Sequence, residues 1–309
     1  METTLPEMND RVAFRKPDIK KKTDLGMTCV DMHFHTHYSD SYTQPRDTIK
    51  LAEKRGVGVA ITDHNQIGGV LDAIEMDSDV LIIPGIEISA SDGPHILTYF
   101  YDWRDLKVFW DKHIKDNIRW CQWIALRNMP TTKLLDILED ENCLVSAAHP
   151  MGYLGSNKGM EVCIRKNYIG MEDVERLDAY EVISGGISRK ANKAAYEAAL
   201  KYGIGTTGGT DGHLLPELGN IVTVSEHSDV DGFLDSIRKK RNCVIGREKD
   251  LITKAIMGAA SLTEFCRHTP SVGFVQLDQT IMNAKRKRNP PADNKSEKTG
   301  CEPADRDLQ

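Results

Sequence analysis

His33 and His35 stand one residue apart in Asp31-Met32-His33-Phe34-His35, inside a run that reads as a strand from Cys29 to His35. Side chains two positions apart on a strand share a face. Two imidazoles aimed at one point suit a divalent metal, although a chance pair at a strand edge is the plain alternative. Asp211 and His213 repeat this spacing in Gly208-Gly209-Thr210-Asp211-Gly212-His213. Glu87 interrupts the otherwise apolar Pro84-Gly85-Ile86-Glu87-Ile88-Ser89, where a buried carboxylate is costly unless it is paired or metal-bound. Asp40, taken alone, reads as a turn or capping residue. His64, closing Thr62-Asp63-His64, reads alone as a structural histidine. His95 opens a strand after Gly93-Pro94, and His149 ends a buried-looking strand just before Pro150. Together these are six of the ten histidines and three carboxylates, nearly all at strand ends. Nine ligands exceed the needs of one first-row ion and suit two or three.

Elements that could bring these residues together follow from periodicity. Strands are expected at Cys29 to His35, Val57 to Ile61, Val80 to Ile88, His95 to Tyr101, Leu144 to Ala148, Tyr180 to Ile183, Ile204 to Thr207, Ile221 to Val224 and Val244-Ile245. Helical patterns lie between them. One starts at Pro45 and stops at Gly56; others cover 104–128, 131–142, 188–202 (closed by Gly203) and about 230–241. Strands alternating with helices imply a parallel sheet with crossover helices, and the length fits one (β/α) barrel. An open doubly wound sheet is the alternative, but no G-x-G-x-x-G opens the first unit. In a barrel of this kind the C-terminal strand ends form the active-site face, which is where the histidines and carboxylates fall.

The chain has 309 residues, 40% hydrophobic and 28% charged, with a net charge of −6. This composition is that of an ordinary globular protein, and the charge argues against a generally basic nucleic-acid-binding surface. No apolar run approaches the ~20 residues of a bilayer span, and Met1 to Lys22 has no apolar secretory core, so a cytoplasmic protein with no membrane partner is expected. Residues 1–26 read as a flexible leader, 27–270 as the barrel domain, and 271–309 as a mostly disordered basic and polar extension that includes Lys285 to Arg288. Seven scattered cysteines with no C-x-x-C pair speak against disulfides and a thiolate zinc site.

The ordered set Asp31-x-His33-x-His35-Thr36-x-x-Ser39-Asp40, Ile61-Thr62-Asp63-His64-Asn65, Pro84-Gly85-Ile86-Glu87-Ile88-Ser89, His95-Ile96-Leu97, Ala148-His149-Pro150 and Gly208 to His213 resembles the PHP (polymerase and histidinol phosphatase) superfamily. The likeness covers about residues 28–226. It implies a distorted (β/α)7 TIM-like barrel holding two to three divalent ions, commonly manganese, zinc or iron. By that resemblance His33, His35, Glu87 and Asp211 hold the first ion. Glu87 bridges to a second, completed by His95 and His149, and Asp40, His64 and His213 hold the third. The implied activity is phosphoesterase chemistry by a hydroxide between metals, on a small phosphorylated substrate or nucleotide, with catalytic roles for Glu87, Asp211 and His213. The nearest likeness is to small members that act on nucleotides or on RNA 5′ ends. This chain departs from several of them in the short, tryptophan-rich stretch between His95 and His149 (Trp103, Trp110, Trp120, Trp123).

Further expectations concern neighbouring residues. Asp31 and Asp63 are candidates to fix histidine tautomers, or simply capping residues. Glu181 is either a partner to a ligand or structural, and His37 has no assignable role. Arg189 opens the helix after the Glu181 strand, where a helix N-terminus would favour an anion. It is the one candidate substrate-binding residue, with a solvated basic face as the alternative. Competing activities are a nuclease or phosphodiesterase trimming RNA or DNA ends, a C–N hydrolase of the amidohydrolase type, and a non-catalytic metal-binding scaffold. No partner protein is inferable.

Overall fold

The computed structural model describes residues 11–121, 124–153 and 156–250, together with positions 277, 279–281 and 284. Residues 1–10 of the expected leader, residues 251–270 of the expected barrel domain, most of the 271–309 extension including Lys285 to Arg288, and Trp123, Cys266 and Cys301 lie outside the described residues.

Among the described residues ten strands form one sheet: β1 (Val12–Ala13), β2 (Thr28–Phe34), β3 (Gly58–Ile61), β4 (Ile82–Ser89), β5 (His95–Phe100), β6 (Cys143–Ala147), β7 (Ala179–Ser184), β8 (Gly205–Gly209), β9 (Ile221–Ser225) and β10 (Cys243–Gly246). Their order is β1-β10-β9-β2-β3-β4-β5-β6-β7-β8. The run from β2 to β8 curls into a seven-strand barrel. The chain just past β8 returns to β2 through a Phe34–Gly212 bridge, and the His35 amide donates to the Gly212 carbonyl at 2.9 Å. Gly209 is needed at this closure, because a methyl group there would overlap the His33 backbone and Cβ. The fold is thus the expected α/β, TIM-like barrel with seven strands in the ring.

The strands are not all parallel, as simple alternation implies. β5 runs antiparallel to both β4 and β6, and β9 runs antiparallel to β2 and β10. The tight Asp92-Gly93 turn, with Gly93 at φ 131°, reverses the chain directly after β4. A hairpin needs only such a turn, whereas a parallel partner needs a crossover.

The outer layer contains α1 (Ile19–Asp24), α2 (Pro45–Arg55), α3 (Gly68–Ile74), α4 (Trp103–Phe109), α5 (Thr131–Leu138), α6 (Met160–Arg165), α7 (Glu172–Glu175), α8 (Arg189–Tyr202) and α9 (Val230–Arg238). α2 begins at Pro45 and ends at left-handed Gly56; α8 is capped by the Ser188 side chain and ends at left-handed Gly203. The expected helix over 104–128 stops early. α4 passes into a π-helical turn at Trp110–Ile114, a 3-10 turn at Lys115–Asn117, and then irregular chain. Tertiary bonds replace the helical ones there: Trp110 Nε1 donates to the Asn65 carbonyl at 2.9 Å and the Leu126 amide to the Ser89 carbonyl at 2.9 Å.

Residues 11–26, read as part of a flexible leader, are structured. β1 extends the sheet beside β10, and Val12, Phe14 and Ile19 pack against the outer core. The apolar residues responsible are spaced too sparsely among lysines to show a period.

Two apolar layers sandwich the barrel wall. The larger lies between strands and helices and includes Phe34, Ile49, Ile61, Ile86, Phe100 and Val145. The smaller contains Val30, Met32, Ala60, Ile83, Leu97, Tyr99, Leu144 and Ala179, drawn from six ring strands, so it fills the barrel interior. α9 seals that cluster with Phe233, Leu234 and Ile237. These interior residues occupy the end of the barrel away from His35, His64 and His149. The other end is left to polar side chains.

Candidate metal centre

Each of the seven ring strands delivers a polar side chain to that upper end. β2 carries His33 and runs into His35. The β2–β3 register shifts between Asp31 and Phe34, so Met32 joins the interior cluster while the next side chain, His33, also turns toward the polar end. β3 runs into His64, which bridges to Glu87 of β4. β5 contributes His95 from its first residue, because its reversed direction puts a strand start at the rim where its neighbours end. β6 leads to His149, β7 holds Glu181, and β8 leads to Asp211 and His213. His149 and Asp211 both have positive φ, 29° and 46°. Such non-glycine conformations persist where surroundings over-determine them and cluster at functional sites.

All nine residues singled out in the sequence converge. Four overlapping groups have ligand atoms within 4.8 Å of one another: His33, His35 and Asp211; His35, His64 and Glu87; His35, Asp40 and His213; and Glu87, His95 and His149. His33 Nε2 lies 3.0 Å from His35 Nε2, 3.3 Å from Glu87 Oε2 and 3.5 Å from Asp211 Oδ1. His35 Nε2 lies 3.4 Å from Glu87 Oε2 and 3.2 Å from Asp211 Oδ1. Ligands about 2.1 Å from a tetrahedral ion stand about 3.4 Å apart, so this spacing fits a metal. On its other oxygen, Glu87 Oε1 is 2.9 Å from His95 Nδ1 and 3.1 Å from His149 Nε2. Asp40 lies 3.1 Å from His213 Nε2 and 3.6 Å from His64 Nε2. His64 also reaches Glu87 Oε2 at 2.9 Å, so His35 and His64 stand between groups that the family resemblance keeps apart.

The chemistry of the donor set supports a cation. Glu87 Oε2 is buried and has no well-aligned hydrogen bond, although His64, His33 and His35 nitrogens crowd it at 2.9 to 3.4 Å; such a cluster of ring nitrogens about one carboxylate oxygen suits a shared cation. Burial alone would raise Glu87, yet the surrounding His64, His33 and His95 hold its carboxyl well below the usual range. Asp211 and Asp40 are likewise held low against burial, by His33 and by His213 respectively. The imidazoles split. Burial drives His95 down to about 3 and His35 down to about 4. His33 is raised, because Glu181, Glu87 and Asp211 outweigh its burial. His213 rises to about 9, as Asp40 overcomes burial there.

Supporting contacts refine the expectations. Glu181 accepts from His33 Nδ1 at 3.0 Å and from the His149 amide at 2.7 Å, so it holds two ligand-bearing segments and turns His33 Nε2 toward the cluster. Asp31 and Asp63 bind hydroxyl and backbone groups and not an imidazole nitrogen directly. Asp31 accepts from Thr210 and from the Gly219 amide, and Asp63 from Thr36 and Ser39. They fasten the backbone around the ligands, and Ser39, which donates to Asp63 at 2.8 Å, stands 3.4 Å from His35 Nδ1. Arg189 is not brought to the cluster. Its Nε donates to Glu248 at 2.8 Å and its guanidinium lies over Phe14, so the helix N-terminus orients it toward the β1 side. His37 packs at a tilt against Tyr38, 4.4 Å between centroids, outside the four groups. Two groups carried no motif in the sequence. Tyr153 donates to Asp211 Oδ2 and packs 4.9 Å from His149, and the exposed Lys158 adds positive charge beside His64 and His95, although Glu87 and Asp40 still raise His64 overall.

A curled seven-strand barrel with a rim of histidines and carboxylates defines a metal-binding barrel protein. Residues 189–242 match the PHP-associated family. A protein of Methanocaldococcus jannaschii, MJ1587, is 38% identical over 78 residues, which are 21% of this chain and 46% of that one; the chain thus spans under half of that relative. The lesion-specific endonuclease Q of Pyrococcus furiosus superposes with a TM-score of 0.54 at 17% identity, over 71% of this chain and 57% of that one. A two-domain protein of Bacteroides vulgatus containing a predicted PHP-like metal-dependent phosphoesterase gives 0.51 at 15% identity, over 76% and 68%. The fold is like that of these structures, and residues 189–242 resemble the PHP-associated family.

Proposed function

We propose that this protein is a metal-dependent phosphoesterase acting on a small phosphorylated substrate or nucleotide. The observation that carries the reading is the convergence of nine ligand-type side chains from six of the seven ring strands on one rim, in overlapping groups with Glu87 shared between two of them. His33, His35, Glu87 and Asp211 would hold a first ion, Glu87, His95 and His149 a second, and Asp40, His64 and His213 a third; imidazole-rich coordination suits manganese, zinc or iron. When bound, such ions supply Lewis acidity toward a phosphoryl oxygen and an activated water near neutral pH.

The protein's own residues set where the ester enters. His33, His35 and Glu87 side chains are fully buried, whereas His213 and Asp40 keep 16% and 24% exposure. Phosphate therefore approaches over the Asp40–His213 edge, with Glu87 and Asp211 anchoring the inner side and His213 contacting the outer. Lys158 adds a cation near His64 and His95, and positive charge there favours a phosphate dianion. The catalytic unit is a single domain that takes in residues 11–250, working in the cytoplasm.

The second reading is cleavage of nucleic-acid ends. It is favoured by the likeness of fold to endonuclease Q, which in another structure holds a 27-mer duplex with an abasic lesion at its active site. The net charge of −6 favours the small substrate. The test is metal analysis followed by assays of p-nitrophenyl phosphate, 3′,5′-bisphosphonucleosides and 5′-phosphorylated oligonucleotides with manganese. Turnover of oligonucleotides alone reverses the order of the two readings, and a metal-loaded protein that hydrolyses none of them refutes both.

A further inference from the structure

Outside the nine ligands the described residues hold another buried charged pair beside the rim. Lys249, just past β10, has its side chain 9% exposed, and Glu217, in the turn after β8, is 6% exposed; Nζ and Oε1 are 2.9 Å apart. A lysine withdrawn this far from water needs a matched charge to be tolerated. What the pair touches gives it a purpose. Lys249 Nζ donates to the Asp211 carbonyl at 2.7 Å. The same carbonyl lies 3.1 Å from His213 Nδ1. On the partner side, Glu217 Oε2 accepts from the amides of His213 and Leu214 at 2.8 and 2.9 Å. Both backbone polar groups that orient the Asp211–His213 step are therefore held by one ion pair.

The consequence runs through the His213 ring. With Nδ1–H directed at the Asp211 carbonyl, Nε2 is the ring nitrogen left to face Asp40, at 3.1 Å. Asp211 itself sits at φ 46°, a conformation that needs external restraint. Ser41 and Thr43 grip the His213 carbonyl at 2.7 and 3.2 Å, but neither touches Asp211 O or the His213 amide. Lys249 is in turn anchored by its own amide, which donates to the Gly185 carbonyl at 2.9 Å.

We infer that Lys249 and Glu217 are positioning residues of the metal centre: their ion pair holds Asp211 and His213 in ligand geometry without touching a ligand atom. The inference rests on the reading of the nine-residue cluster as a metal site, and its test separates the two. Manganese binding is titrated on the full chain for wild type, Lys249→Met, Lys249→Arg and the double variant Lys249→Met/Glu217→Gln, alongside hydrogen exchange of the 210–218 backbone. The expected result is that Lys249→Met weakens the most loosely held ion by about tenfold or more, in the range found for residues behind metal ligands. The inner ions stay bound, and exchange rises across 210–218. Lys249→Arg restores most of the affinity, since a cavity of about 420 Å³ beside Lys249, Thr210 and Glu217 has room for the longer side chain. The double variant, which leaves no lone buried charge, behaves as Lys249→Met. Wild-type ion affinity in a folded Lys249→Met or double variant overturns the inference. So does failure of both to fold, because the pair would then be supporting the barrel as a whole. A wild type that takes up no ion overturns the underlying metal-site reading instead.

Discussion

Replacing Glu181 by glutamine tests the logic of the centre with almost no change in shape. Glu181 accepts two bonds, from His33 Nδ1 at 3.0 Å and from the His149 amide at 2.7 Å. A glutamine has one oxygen and one NH2 for these two partners. The His149 amide can only donate, so it takes the oxygen. The NH2 then faces His33 Nδ1 and donates to it. That moves the imidazole proton to Nε2, the atom lying 3.0 to 3.5 Å from His35, Glu87 and Asp211. A protonated Nε2 offers no lone pair to a metal. Of the carboxylates that raise His33 against its burial, Glu181 acts most strongly, so the variant loses an attractive carboxylate as well.

Loss of a partner behind a metal ligand costs about 10–100-fold in metal affinity, equivalent to about 1.4–2.8 kcal/mol. Equilibrium dialysis against graded manganese, with metal content by mass spectrometry, would read the shift directly. Turnover of p-nitrophenyl phosphate should fall at limiting metal and recover at saturating metal, while circular dichroism stays that of the wild type. A Glu181→Gln protein with unchanged affinity would refute the assignment of Glu181 as the group that sets the His33 tautomer.

Other outcomes follow from the same geometry. Glu87→Ala, which removes the carboxylate shared by two groups, should abolish turnover and lower the bound metal by at least one ion; retained activity would contradict the bridging role. Tyr153→Phe deletes the donor to Asp211 Oδ2, and at roughly 1.5–3 kcal/mol for a bond to a charged group kcat should drop by one to two orders of magnitude with KM little changed. Metal loading should release protons, because the raised His33 and the His213 at about 9 carry protons at pH 7 in the metal-free protein. Affinity should then climb between pH 6 and about pH 9, and calorimetry in buffers of different ionisation enthalpy should detect the release; buffer-independent heats would count against it. Without metal the sign for stability is the reverse. A folded pKa of about 9 against the ordinary 6.5 makes the His213 contribution complete below about 6.5 and lost as pH rises through about 9, so the metal-free protein should melt lower at pH 9.5 than at pH 6.

How far the centre could be read from residues alone depends on what each contact needs. His33 and His35 share a face because of strand periodicity, a local property, and the barrel brought them together with Glu87 and Asp211 as their strand ends suggested. His95 was legible as a strand-start residue, but its arrival at the same rim depends on β5 running backwards, and only the hairpin after Ser89 decides that. Arg189 misled because a helix N-terminus signals anion binding whichever way the helix points, while its actual partners, Glu248 and Phe14, belong to segments far away in sequence. Residues 11–26 misled in the opposite direction, since a two-residue strand has no period to detect and is stabilised only by pairing with β10. Tyr153, Lys249 and Glu217 have no local signature at all. Their positions are specified by closure of the barrel, which brings the turn after β8 against the chain leaving β10. Ligands recur at strand ends because the fold places every strand end on one rim. The groups that orient those ligands come from whichever loops the closure happens to juxtapose, so they emerge only with the complete tertiary structure.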